Sequence, residues 1–126
     1  MKQGKIFIAV GIGGIVGATG RYGVSLLMTN WGIFPFATLT VNFLGCFLLS
    51  WLSNFNQKRI QSTLIIALNT GVIGSFTTFS TFTVETIELA RTNIPLALLY
   101  VFISIFGGLL FCLLGFRTAY RRRVET

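Results

Sequence analysis

The stretch Gly71-Val72-Ile73-Gly74-Ser75-Phe76-Thr77-Thr78-Phe79-Ser80-Thr81-Phe82-Thr83 decides how this chain is read. It lies inside a segment of about 29 residues, Gln61 to Leu89, whereas a helix needs roughly 20 to cross a hydrocarbon core. That segment carries no charge before Glu85. Glycine weakens helices, and Ser and Thr compete for backbone hydrogen bonds. The stretch therefore predicts a helix that breaks near its middle. A broken helix at membrane depth survives only where it is buried in protein or lines a wet cavity. Such breaks commonly build ion sites, because freed carbonyls attract cations and freed N–H groups attract anions.

Three further apolar segments surround it, from about Lys5 to Met28, Phe36 to Ser53 and Pro95 to Phe116. No charge occurs between Tyr22 and Gln57. The connections are short, and nothing in the sequence separates a second domain. The expectation is one all-α integral membrane domain over residues 1–126, with four transmembrane helices over 5–28, 36–53, 61–89 and 95–116. The N-terminal segment resembles a signal peptide, but it continues into Arg21, Tyr22 and more apolar chain, and is read as retained.

Composition agrees. Over 126 residues, 53% are hydrophobic and only 10% charged, against about 25% in soluble domains. There is no histidine, and Asp plus Glu number 3. Catalysis by a His base or a pair of carboxylates is thus poorly supplied, and the chain is not read as an enzyme. Cys46 and Cys112 lie in apolar runs, away from metal-ribbon spacing, and are read as packing residues. The net charge of +7 is not spread along a face as in nucleic-acid binders. With four spans, both termini and the middle loop share one side. That side carries Lys2, Lys5, Lys58, Arg59, Arg117, Arg121, Arg122 and Arg123; Arg91 and Arg21 fall on the other. The positive-inside rule puts both termini in the cytoplasm, where Arg121–Arg123 meet anionic lipid.

Several residues stand out. Phe76, Phe79 and Phe82 recur every three positions, near one face of a helix. Aromatic edges are positive and can contact an anion, although such stripes usually serve packing. Asn42 is a buried amide in an uncharged span; it either marks function or bonds a neighbouring helix. Arg21 either snorkels to the interface or holds an anion at a pore mouth. Tyr100 and Ser104, four apart, extend a polar track or bond neighbouring helices. Gly13 and Gly17 form a GxxxG pattern, and Gly107 and Gly108 sit mid-span; each allows close helix approach.

Taken together these motifs resemble the Fluc/CrcB fluoride channels, small four-helix bacterial membrane proteins. The resemblance spans the chain. It rests on Gly13-Gly14 with Gly17, Arg21 and Tyr22; on Thr38-Leu39-Thr40-Val41-Asn42 with Gly45; and on Gly71 and Gly74 with Thr77-Thr78-Phe79-Ser80-Thr81-Phe82 and Glu85. The resemblance implies an antiparallel dimer with two fluoride pathways, passive export of cytoplasmic fluoride, and a multi-pass place in the bacterial cell membrane. It implies a fluoride path along Phe79, Phe82, Asn42, Ser80, Thr81, Tyr100 and Ser104, with Arg21 near the mouth. It further implies a structural sodium ion held by backbone carbonyls at Gly74 and Thr77. The partner is a second copy or, given the lopsided Lys and Arg placement, an oppositely oriented relative.

Two other readings remain for a four-helix membrane chain. A four-helix small multidrug-type cation/proton transporter needs a membrane-embedded carboxylate, and the first helix has none. A non-conducting membrane assembly subunit has no need of a polar break in the third helix.

Overall fold

The computed structural model describes residues 2–29, 31–54 and 62–124. Helix α1 spans Lys2–Leu27 and α2 spans Phe36–Asn54. The third crossing is composite. Helix α3 (Ser62–Ile66) widens into a π-helical stretch, Ala67–Ile73, and tightens into a single α turn, α4 (Gly74–Phe76). Thr77 is extended (φ −78°, ψ 159°), and the chain restarts as α5 (Ser80–Thr92). Helix α6 runs from Ile94 to Val124.

Among the described residues, four helical crossings are long and apolar enough for a membrane: Gln3–Leu27, Phe36–Asn54, Thr63–Thr92 and Ile94–Arg122. The chain is an all-helical, multi-pass membrane protein. Many large apolar side chains point outward, among them Ile8, Ile15, Leu98, Phe102 and Leu109. In lipid that surface needs no cover, so the internal core is small. It gathers Leu39, Leu89, Ala97 and Tyr100, flanked by Phe34, Phe43, Phe82 and Ile103.

Helix α6 outruns the segment read from hydropathy, which ends at Phe116. Nothing between Arg117 and Val124 is a helix breaker, and Arg and Ala are good helix formers. At 31 residues and 1.5 Å per residue, α6 is about 46 Å long. It therefore carries its basic end beyond a hydrocarbon core of about 30 Å. Lys58 and Arg59, assigned from sequence to the same side, lie outside the described residues.

The packing has two halves. Helix α2 lies along α6, and α5 also packs on α6; α1 lies against the π-helical stretch and α4. The second contact is a near approach of two backbones. A β-carbon at Gly17 would run into the carbonyl of Val72. The GxxxG motif of α1 thus seats the composite helix within the same chain.

Candidate functional site

The break is held by one side chain. Asn42, on α2, accepts a hydrogen bond from the Thr78 N–H through Oδ1 (2.8 Å) and donates from Nδ2 to the Thr78 carbonyl (3.0 Å). Its amide thereby replaces the helical partners of a residue that has left the helix. Thr78, itself buried, performs a similar service. Its Oγ1 accepts from the Thr81 N–H (3.2 Å) and donates to Thr81 Oγ1 (2.9 Å), with Ser80 Oγ 3.4 Å away. Gly45, one turn beyond Asn42, leaves room for Thr77: a β-carbon there would strike the Thr77 methyl.

These substitutions free two carbonyls. In an unbroken helix the Gly74 carbonyl would accept from the N–H of Thr78, and that of Thr77 from Thr81. Both donors are turned to side chains instead, to Asn42 and to Thr78. Gly74 and Thr77 are the two positions expected to hold a cation. Carbonyl oxygens suit hard cations. No group of three His, Cys, Asp or Glu side chains occurs among the described residues.

Two cavities meet at Thr78. One, of about 220 Å³, is polar and is lined by Arg21, Tyr22, Ser25, Thr38, Thr78 and Thr81, together with Ala18 and Val41. Among the described residues, one cation and four hydroxyl-bearing Ser and Thr side chains line it, with no carboxylate. The other, of about 410 Å³, is mainly apolar. Phe79, Phe82, Asn42, Thr77, Gly74 and Ser104 contribute to its walls. Phe79 and Phe82 lie 5.9 Å apart with their planes tilted by 39°, and Phe82 is 5.3 Å from the Tyr100 ring. Phe79 is 80% exposed, so its ring stands at the open side of this cavity.

Of the residues singled out from sequence, Arg21, Thr81 and Thr78 face the polar cavity, and Asn42, Phe79, Phe82, Ser104, Gly74 and Thr77 the apolar one. Ser80 sits beside Thr78 at the junction. Phe76 does not join the other two phenylalanines. The break interrupts the three-residue spacing, and Phe76 turns toward Gly20 of α1. Asn42 has both roles open to it: Thr78 occupies its oxygen and one N–H, and an amide nitrogen carries a second N–H. Ser104 donates to the Tyr100 carbonyl one turn back (2.7 Å), a common habit of helical serine.

Glu85 is the residue sequence reasoning left without a role. Thr38 on α2 donates to its Oε1 (2.9 Å), and Tyr100 on α6 donates to its Oε2 (2.7 Å). The carboxylate on α5 therefore ties three helices together. The signal was present: an acid within an apolar span must find donors. Which donors it finds depends on residues distant in sequence.

Comparison with known proteins agrees with this architecture. The family described as CrcB-like protein, Camphor Resistance (CrcB), matches residues 8–116. A protein of Bacillus thuringiensis subsp. konkukian named fluoride-specific ion channel FluC 1 is 48% identical over 116 residues, covering 88% of this chain and 85% of that one. Fluoride-specific ion channel FluC 2 of Listeria innocua is 44% identical over 114 residues, with 88% of each chain covered. FluC 2 of Geobacillus kaustophilus is 40% identical over 125 residues, covering 95% and 97%. With a match over most of its length and its motifs gathered around one helix break, this chain belongs to the CrcB family.

Proposed function

We propose that the chain is a subunit of a fluoride-selective channel that lets cytoplasmic fluoride leave passively. The observation that carries this reading is the helix break pinned by Asn42, with an Arg21-bearing polar cavity on one side and a phenylalanine-lined cavity on the other. The names of the relatives support fluoride as the anion.

Fluoride is small and strongly hydrated, so a selective path must replace its water with many donors. Arg21 and the hydroxyls of Ser25 and Thr81 concentrate the anion in the polar cavity. The second N–H of Asn42 and the positive ring edges of Phe79 and Phe82 receive it past the break. Ser80 and Ser104 continue the donor track when their hydroxyls turn from their present acceptors, while Tyr100, fully buried and donating to Glu85, backs the Phe82 ring. No carboxylate lines the polar cavity, and Glu85 has two hydroxyl donors directed at it.

The working unit in this reading is an antiparallel dimer, of two copies or of this chain with an oppositely oriented relative. The exposed ring of Phe79 and the open side of its cavity support a second subunit as the missing wall. The carbonyls of Gly74 and Thr77 would hold sodium at the centre of that dimer. The ion supplies fixed positive charge where helical carbonyls have lost their donors. For a fixed orientation both termini face the cytoplasm.

Efflux from proteoliposomes tests the function. Protein reconstituted alone should release fluoride and retain chloride; release of both, or of neither, overturns the reading. Activity of a stable dimer made from this chain alone selects the homodimer over the mixed pair.

A further inference from the structure

A third cavity, of about 390 Å³, adjoins the polar one, and Ser25 lines both. The hydrogen bond from Thr38 to Glu85 (2.9 Å) joins their walls, since Thr38 lines the first and Glu85 the second. Three helices contribute to both, in the same order. From the polar cavity to the third, the lining moves from Arg21 toward Thr29 along and past α1. It moves from Val41 back to Phe36 on α2, and from Thr81 to Glu88 on α5. Each step leads away from the break, toward the face where α1 and α5 end and α2 begins. The third cavity therefore lies between the polar cavity and that face.

Its two carboxylates differ. Glu85 has two hydroxyl donors directed at it, from Thr38 and Tyr100. Glu88, one turn on, is exposed, and among the described residues nothing donates to its carboxylate. Arg91, the next charge on α5, is not part of the lining. An uncompensated negative charge at the entrance to an anion path lowers the local anion concentration, and salt screens the effect.

We propose that the cavity of about 390 Å³ is a mouth of the anion path and that Glu88 sets the rate there, its carboxylate repelling fluoride as it enters or leaves. The inference rests on the fluoride reading above and adds to it a residue that governs rate. Chloride is repelled equally, so Glu88 has no part in selectivity.

The test is the dependence of fluoride release on ionic strength, a readout that a merely structural role would not move. Wild type, Glu88→Gln, Glu88→Lys and Arg91→Gln are reconstituted alone, with valinomycin and potassium balancing charge and potassium glutamate setting ionic strength on both sides. Release is compared at about 10 mM, where the Debye length is about 30 Å, and at about 1 M, where it is about 3 Å. At low ionic strength Glu88→Gln should release fluoride about twofold faster than wild type or more, the scale of one unit charge acting through water across about 10 Å. Glu88→Lys should be faster still. Both gains should vanish at high ionic strength, with chloride retained throughout, and Arg91→Gln should show no gain. Should Glu88→Gln fail to assemble, Glu88→Lys is judged by the same criterion. Rates equal to wild type at low ionic strength overturn the inference while leaving the fluoride channel standing; that is the result if Glu88 is only a solvated surface charge. A gain that persists at high ionic strength, or an equal gain in Arg91→Gln, also overturns it. A wild type that releases no fluoride removes the fluoride reading itself, and the inference with it.

Discussion

The Tyr100 hydroxyl donates a hydrogen bond to Glu85 Oε2 across 2.7 Å, from a side chain that is 0% exposed. Thr38 gives another from α2, so a single carboxylate fastens α2, α5 and α6 at the level of the core. A hydrogen bond to a charged group contributes about 1.5–3 kcal/mol. Tyr100→Phe should therefore lower the thermal midpoint in detergent measurably. Glu85→Ala should cost more than Glu85→Gln, because it leaves two hydroxyls unpaired. Combining Thr38→Val with Tyr100→Phe should cost more than the sum of the single effects, since together they strip Glu85 of both donors. Strict additivity in such a cycle would contradict the shared anchor.

Asn42 makes a different kind of bond. Its Ala variant leaves the N–H and carbonyl of Thr78 without partners, at about 1–3 kcal/mol for each buried group. Asn42→Asp can still accept from the Thr78 N–H but has no N–H to return to the carbonyl. The expected order of thermal stability is wild type, then Asp, then Ala. Fluoride efflux should fall in both variants.

The two phenylalanines separate flux from folding. Phe79 is largely exposed, while Phe82 packs on Tyr100 and the core. Phe79→Ile removes no contact with the core of its own chain, so it should melt close to wild type. Phe82→Ile should cost roughly 1 kcal/mol through lost packing. Both should abolish fluoride efflux from proteoliposomes while the protein still elutes as an assembled species. Retained efflux in both variants contradicts the ring-edge path.

Gly17 tests the seat of the composite helix. A side chain there meets the backbone of Val72 rather than a movable side chain. Gly17→Val should therefore prevent folded protein from being recovered, whereas Gly11→Ala, with nothing near its β-carbon, should be neutral. Normal yield and melting for Gly17→Val would show that α1 does not lie against the π-helical stretch.

Much of this was legible in the residues. The four crossings follow from apolar length, and the break from Gly74, Thr77 and Thr78 set in an uncharged span. Asn42 was marked by its polarity, but not as the group that pins Thr78, because that contact joins positions 36 residues apart. The π-helical widening at Ala67–Ile73 has no simple periodic signature, and the break at Thr77 takes Phe76 out of the stripe it forms in sequence. Glu85 could be flagged as an acid in lipid, yet its donors come from 47 residues before it and 15 after it. Local chemistry announces that a polar group needs a partner, and only tertiary packing says which one.

The most direct test of the account is the anion selectivity of efflux from liposomes containing this protein alone. Vesicles loaded with equal fluoride and chloride are diluted into medium lacking both, and each anion is followed with its own electrode. The account predicts rapid fluoride release with chloride retained, and loss of the fluoride signal in Phe79→Ile. Chloride release alongside fluoride, or fluoride release that survives in Phe79→Ile and Phe82→Ile alike, would contradict it.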